Sequence, residues 1–339
     1  MSKPATPPET VRRVTSADVA TAAGVSRGTV SYALNGDPDS RLTAATKQKV
    51  LDAAKRLGYE PSAAARLLRG GRSRTVLVLS PARDGYTSQM STLIDQLAKE
   101  LAQHGYSLIW QLGVAGAPRP VAELSPAVVL TAATREDPEF AGIFGGFPVP
   151  VIPILPGRDS FIALAGQEQV RYMAGHGLTN LVYAAPESAD LANMSELRWS
   201  AVQTETSRLG LPKPEHVVWP SSRSGSRAAL ERVVSLKAGS FGICAYNDDV
   251  ALSVLAGAFD AGVVVPDGVS VIGVDDIPAA AVANPALSTI GSDLSGYVQQ
   301  MARYVARVAA GESASPPELP RHMSVVERDS VSTSRRTHD

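Results

Sequence analysis

Thr15-Ser16-Ala17-Asp18-Val19-Ala20-Thr21-Ala22-Ala23-Gly24-Val25-Ser26-Arg27-Gly28-Thr29-Val30-Ser31-Tyr32-Ala33-Leu34-Asn35-Gly36 decides how the rest of the chain is read. Thr15 with Asp18 three positions later is a variant of the capping box, so a helix starts at Ser16. Gly24 ends it. Ser26 is placed to cap a second helix, from Arg27 to about Leu34, closed by Asn35-Gly36. Two short helices around the tight turn Gly24-Val25-Ser26 form a helix-turn-helix pattern. A third helix is predicted from Ala44 to Leu57, capped by Thr43 and ended by Gly58, with Val50, Ala53, Ala54 and Leu57 on one face. Together with Val19, Ala23, Val25, Val30 and Leu34 that face closes one small core.

The second helix carries the chemistry of nucleic-acid reading. Ser26, Thr29, Ser31 and Asn35 offer short hydrogen-bonding groups to phosphate oxygens. Arg27 has the planar fork that matches guanine O6 and N7. Gly28 lowers helix propensity by about 1 kcal/mol, so it serves close approach rather than stability. Charge agrees. Residues 1–75 carry thirteen basic and six acidic side chains, a net of +7, while the remainder is −8 and the chain −1. A basic head on a mildly acidic body suits a polyanion-binding module joined to a larger domain. An amphipathic helix pair with a chance excess of charge would share parts of this pattern, not the combination.

The chain has 339 residues. At ~150 residues per domain that is room for two or three. A hydrophobic share of 44% and a charged share of 19% are those of a folded globular protein. The single cysteine, Cys244, excludes a disulfide framework and a cysteine-based metal cluster, and fits a reducing cytoplasm. Met1–Arg13, with Pro4, Pro7 and Pro8, reads as a disordered tail without a leader's apolar core. No run reaches the ~20 apolar residues that span a bilayer.

The head resembles the opening of the LacI/GalR family of transcriptional regulators. The likeness rests on Val14-Thr15, Asp18-Val19-Ala20, Ala23-Gly24-Val25-Ser26, Thr29-Val30-Ser31 and Leu34-Asn35-Gly36. It continues through Thr46, Val50, Ala53, Leu57-Gly58-Tyr59 and Pro61. The resemblance implies a helix-turn-helix domain over 14–60, with Arg27 and Gly28 at the two main base-reading positions. It also puts Tyr32 where many members carry arginine. A tyrosine can touch a thymine methyl or donate to a phosphate but cannot read guanine bidentately. Thr15 and Arg41 complete the residues expected to face DNA.

Pro61 to Gly71 follows, with good helix formers between a proline start and a glycine stop, too short for a stable helix alone. The resemblance implies a hinge helix within a linker over 61–75 that folds only on operator DNA. Leu68 then wedges into the minor groove beside its symmetry mate, Ala65 permits close approach and Arg66 neutralises phosphate. An ordinary interdomain linker is the alternative.

Beyond Thr75 the chain alternates short apolar runs with amphipathic segments. Strands are predicted at Thr75–Ser80, Tyr106–Trp110, Ala127–Thr131, Val149–Leu155, Asn180–Ala185, His216–Trp219, Gly242–Tyr246 and Ser270–Val274. Helices are predicted at Ser91–Gln103, Gln167–His176, Leu197–Leu209, Ser226–Leu236 and Asp248–Ala261. Repeated βα units mean parallel sheets, and two series of them mean two lobes. The fold class is therefore α/β: a three-helix head with a hinge, and a two-lobed body of parallel βα lobes like a periplasmic binding protein. The body spans 76–331, its near lobe 76–161 and 291–321, its far lobe 162–290 and 322–331, before a tail at 332–339.

The family resemblance is strong at Ala245-Tyr246-Asn247-Asp248 and Val269-Ser270-Val271-Ile272-Gly273-Val274-Asp275-Asp276. It implies a small-molecule effector, sugar-like or atypical, between the lobes, with Arg198, Asn247 and Asp275 as contacts. Ser80, Tyr86 and Trp219 join these candidates. Each has a plainer reading: Asn247 as a helix cap, Asp275 as a turn residue, Arg198 as a surface charge, Trp219 as packing. The near lobe departs from the family. Ser80-Pro81-Ala82-Arg83-Asp84-Gly85-Tyr86 stands in place of Asn-Pro-Phe-Phe, Pro126-Ala127 in place of Asp-Gly and Gln167-Glu168-Gln169 in place of Asp-Asn. An atypical effector, or control by a protein partner with no ligand, fits those departures.

The expected function is a cytoplasmic, homodimeric repressor on a palindromic operator of double-stranded DNA, with no cofactor, no metal and no membrane partner. Enzyme motifs are absent: no P-loop, no Gly-x-Ser-x-Gly, no His-Glu-x-x-His. A free-standing solute-binding protein shares the two lobes but not the basic head.

Overall fold

The computed structural model describes residues 14–35, 42–59, 73–80, 88–112, 124–132, 147–237 and 239–332. The chain divides into two compact units, Met1–Ser73 and Arg74–Asp339.

The first unit is built of α1 (Ser16–Ala23), α2 (Arg27–Asn35) and α3 (Ala44–Leu57). Local chemistry sets their ends. The Thr15 hydroxyl accepts from the Asp18 N–H, and the Asp18 carboxylate accepts from the Thr15 N–H at 2.8 Å, closing the capping box. Gly24 ends α1 in the left-handed region (φ 62°), where its N–H reaches back to Ala20 and Thr21. An L side chain is strained there, and this residue sets the turn between the helices. Ser26 Oγ accepts from the Thr29 N–H at 3.1 Å and so caps α2. Val19, Ala23, Val30, Ala33, Val50 and Ala53 fill the core between the three helices.

The second unit holds two sheets. The first has strand order β2-β1-β3-β4, all parallel, from β1 (Thr75–Ser80), β2 (Ser107–Leu112), β3 (Val128–Thr131) and β4 (Val151–Pro153). Alternation along β1 sends Val76 and Val78 to one face and Leu77 to the other. The Val76 face is covered by α4 (Ser88–Gln103) through Leu93, Leu97 and Leu101, and by α10 (Ser295–Ala309) through Val298, Met301 and Val305.

The second sheet has order β10-β9-β8-β7-β5-β6. Its strands are β5 (Leu181–Pro186), β6 (Glu215–Trp219), β7 (Phe241–Ala245), β8 (Val269–Val274), β9 (Ser288–Gly291) and β10 (Ser324–Val326), of which β10 alone runs antiparallel to its neighbour. Helices α5 (Arg158–Gly175) and α6 (Ala192–Arg208) cover one face against Tyr183, Cys244 and Ile272. Helices α7 (Arg223–Leu236) and α8 (Asp248–Ala261), with the short α9 (Pro278–Val282), cover the other against Val182, Ile243 and Val271. The chain passes from the first sheet to the second after β4, returns through α10, and crosses again to β10.

Two sequence expectations need correction. Helix α5 begins at Arg158, nine residues ahead of Gln167, so Phe161 lies within a helix of the second sheet's layer. Its inward face is Ala165, Gly166 and buried Gln169 as well as Val170, which dilutes the apolar period. The segments β9 and α9 had no assigned element. They are four and five residues long, too short to establish a period.

Candidate functional site

Two regions collect side chains that the fold does not use for itself. The first is the outer face of α2. Val30 and Ala33 point inward, while Arg27, Gly28 and Tyr32 are exposed, Tyr32 by 52%. Among the described residues nothing pairs with the Arg27 guanidinium. A Cβ built on Gly28 would meet only Ser26 Oγ, at 3.5 Å. The glycine therefore answers no need inside the head. Ser26 and Thr29 are joined hydroxyl to hydroxyl at 2.9 Å beside the cap, and the Thr15 hydroxyl donates to Asp18 at 2.7 Å. These groups order the helix starts and stay at the surface. Ser31 is half-buried on the flank. The Asn35 side chain lies outside the described residues, as do Arg41, Ala65, Arg66, Leu68 and Tyr86.

The second region is a cavity of about 360 Å3 between the two lobes. Its walls are Gln89, Thr92, Leu93 and Gln96 of α4, Asp275 to Pro278 after β8, and the crossover Gly291 to Ser295. A small ligand pocket has about this volume. Next to it the lobes are tied directly: the Ser88 N–H and hydroxyl donate to the Asp249 carboxylate at 3.2 and 2.7 Å.

Among the described effector candidates, Asp275 alone lies on that wall. Its backbone has φ 111°, a conformation that residues with a side chain rarely adopt, and Asp276 follows at φ 51°. Such strain persists where the surroundings hold it and concentrates at functional positions. No described residue donates a hydrogen bond to the Asp275 carboxylate. Burial pushes its pKa up to about 8, against the opposing pull of Arg198.

Arg198 stands behind, 5% exposed. Its guanidinium donates to the Tyr246 carbonyl, lies 4.7 Å from the Tyr246 ring centre, and reaches the Ile162 carbonyl at 3.5 Å. It is not the surface charge of the plainer reading. Asn247 is buried and caps α8, its Oδ1 accepting from the Val250 N–H at 3.0 Å. The Ser80 hydroxyl accepts from the Trp110 indole at 3.0 Å. Trp219 is corrected outright. It is 1% exposed within the α7–α8 core and donates to Ser226 Oγ at 2.7 Å, so no ring face is left for a ligand.

Comparison with known proteins gives this geometry its context. Residues 15–62 match the family described as bacterial regulatory proteins, lacI family, and residues 170–331 match a periplasmic binding protein-like domain. The chain is 26% identical to the transcriptional regulator GalR of Escherichia coli (strain K12), covering 93% of this chain and 95% of that one. It is 25% identical to the regulator CelR of Thermobifida fusca over 94% of this chain and 98% of the other. The fold is that of the lac repressor dimer bound to operator (TM-score 0.69, 20% identity, 94% and 99% of the two chains). The chain belongs to the LacI family.

This LacI-family chain is thus a DNA-binding transcriptional regulator, with the head and two-lobed α/β body expected for one. No helix among the described residues is long and apolar enough to cross a membrane. The binding-domain match begins only at residue 170, so the first sheet, where the sequence departs from the family, lies outside it.

Three polar residues of this regulator escaped the sequence reading. Asp248 is fully buried, accepting from Thr289 Oγ at 2.6 Å and the Ile277 N–H at 2.9 Å, and burial raises its pKa to about 7. It ties α8 to β9 and α9. Gln169 donates to the carbonyls of Ala245, Ile272 and Gly273 at 2.8–3.2 Å, while its Oε1 is buried with no donor. Asp249 is the interlobe acceptor. The pattern Asn247-Asp248-Asp249 signals a capped helix start, but only the tertiary fold shows that its second and third residues face different partners.

Proposed function

We propose that this regulator is a repressor that binds a palindromic operator as a homodimer, and that a small molecule in the interlobe cavity controls its affinity. The observation that carries the DNA side is the outward face of α2, where Arg27, Gly28 and Tyr32 have no role inside the head. Each such helix would enter a major groove of one half-site. The hinge proposal stands with it: Leu68 as the minor-groove wedge, Ala65 and Arg66 beside it, and Arg41 and Thr15 on phosphates.

Helices α8 and α9 leave Phe259 and Val282 exposed by 75% and 82% over the same core, which supplies apolar surface for pairing two bodies. A solved regulator of the same fold, named CelR, is in complex with cellobiose, which supports a ligand of sugar size in the cavity. Ligand there would move the lobes against the Ser88–Asp249 tie. By linkage the same contact serves induction or corepression, according to which lobe arrangement the ligand prefers.

Selection of bound sequences from random duplex DNA, with the full chain, tests this reading. An inverted repeat with a central pyrimidine–purine step is the expected result. Enrichment of single half-sites removes the dimer, and salt-sensitive binding without any motif removes the specific reader.

A further inference from the structure

The charge of the interlobe cavity restricts what can occupy it. Among the described wall residues Asp275, Asp276 and Asp293 are acidic and none is basic. Arg328, beside the wall, donates to Asp276 at 2.6 Å and to the Leu287 carbonyl at 2.7 Å, which neutralises Asp276 and leaves Asp275 and Asp293. Asp293 accepts from the Ser295 N–H at 2.9 Å and is exposed at the rim. Asp275 is half-buried and has no donor among the described residues. Arg198 opposes its charge from behind, but that guanidinium faces the Tyr246 and Ile162 carbonyls rather than the cavity. The remaining polar wall, including Gln89, Thr92 and Ser292, is neutral.

We propose that the cavity takes a small polyhydroxylated ligand bearing an ammonium group, of the amino-sugar or amino-alcohol class, with Asp275 as its counter-ion, and that it rejects phosphorylated and carboxylated metabolites. The proposal rests on the reading of this cavity as the effector site. An ammonium supplies three donors to a carboxylate that lacks one, while the ligand's hydroxyls meet amide and hydroxyl groups able to donate or accept. Burial raises the Asp275 pKa to about 8, and the ammonium's charge draws the carboxyl back to its ionised form, whereas a phosphate or carboxylate brings no such charge and meets no free cation on the described wall.

The test is calorimetric titration of the full chain with matched skeletons: D-glucosamine and D-galactosamine, their parents D-glucose and D-galactose, and D-glucose 6-phosphate and D-gluconate. The amines should bind about tenfold or more tighter than their parents, about 1.4 kcal/mol at the least. The acids should not bind. Asp275→Asn should erase the difference between amine and parent while the unfolding transition is retained. The proposal is overturned if an acid binds as well as an amine, if amine and parent bind alike to the natural sequence, or if no member binds. Thr92→Trp, which fills the cavity from an exposed helix position, separates the two claims. Binding that survives it places the ligand elsewhere and sinks the cavity reading. An acid whose binding it abolishes leaves the cavity standing and the charge rule wrong.

Discussion

Arg27 and Arg198 are both arginines that the family resemblance marks for contact with a ligand, and the fold treats them in opposite ways. Arg27 is exposed on α2 with no partner among the described residues. Arg198 is enclosed between α5 and the end of β7, with its donors on backbone carbonyls and its plane near the Tyr246 ring. The approach of the helices around it is close: a Cβ on Gly166 would stand 2.8 Å from the Arg198 carbonyl oxygen. A buried polar group has to be satisfied from within, so Arg198 is scaffolding for Tyr246 and Asp275 first. A guanidinium left in water at the start of a helix is available to an outside partner. What separates a reading group from a supporting one is where its donors point, which residue type does not reveal.

The largest expected effect is the loss of Arg198. Arg198→Ala leaves the Tyr246 carbonyl without a donor, removes the contact with its ring and leaves Asp275 without its neighbouring cation. The first two effects suggest destabilisation of the body by about 3 kcal/mol. Chemical denaturation of the full chain measures it. A variant that keeps its midpoint and changes only ligand response would make Arg198 a contact residue and erase the contrast drawn here. Arg27→Ala should do the reverse. A bidentate base contact is worth about 1–3 kcal/mol of discrimination, so each protomer should lose roughly ten- to a hundredfold in operator affinity. The unfolding midpoint should not move. Equal affinity for the selected operator would show that Arg27 reads nothing.

The sequence makes the head legible because its determinants are local. Thr15 with Asp18, Gly24, Ser26 and Thr43 act over three or four residues, and each occupies its expected turn or cap. Strands β5, β7 and β8 of the second sheet are legible as short apolar runs, because a strand covered on both faces has no polar side to interrupt it. The cavity is not legible. Its walls come from α4, the turn after β8 and the crossover at Gly291–Ser295, segments that only the tertiary fold brings together. The family resemblance finds Asp275 there, yet it also selects Arg198, and residue type alone adds Trp219; the fold directs their polar atoms to backbone carbonyls and to Ser226. Asp248 and Gln169 are hidden for a related reason. Gln169, buried to satisfy distant backbone groups, breaks the period by which its own helix is recognised, while Ile277 and Thr289, the partners of Asp248, lie far along the chain.

Gly28 gives the finest test of the contrast between an outward and an inward face. Alanine fits the free head, since the nearest atom to the added methyl is Ser26 Oγ at 3.5 Å. Replacing a glycine in a helix by alanine is worth about 1 kcal/mol, so Gly28→Ala should stabilise the head by that order. If α2 approaches the edges of the base pairs as closely as the missing side chain suggests, the same methyl should weaken operator binding severalfold. Stability and affinity would then move in opposite directions at one position, which a purely structural glycine cannot produce. Thermal unfolding and operator titration of the one variant read both signs. A head that gains stability and keeps its affinity would mean that the groove lies further from Gly28 than from Arg27, and that close approach plays no part in the reading.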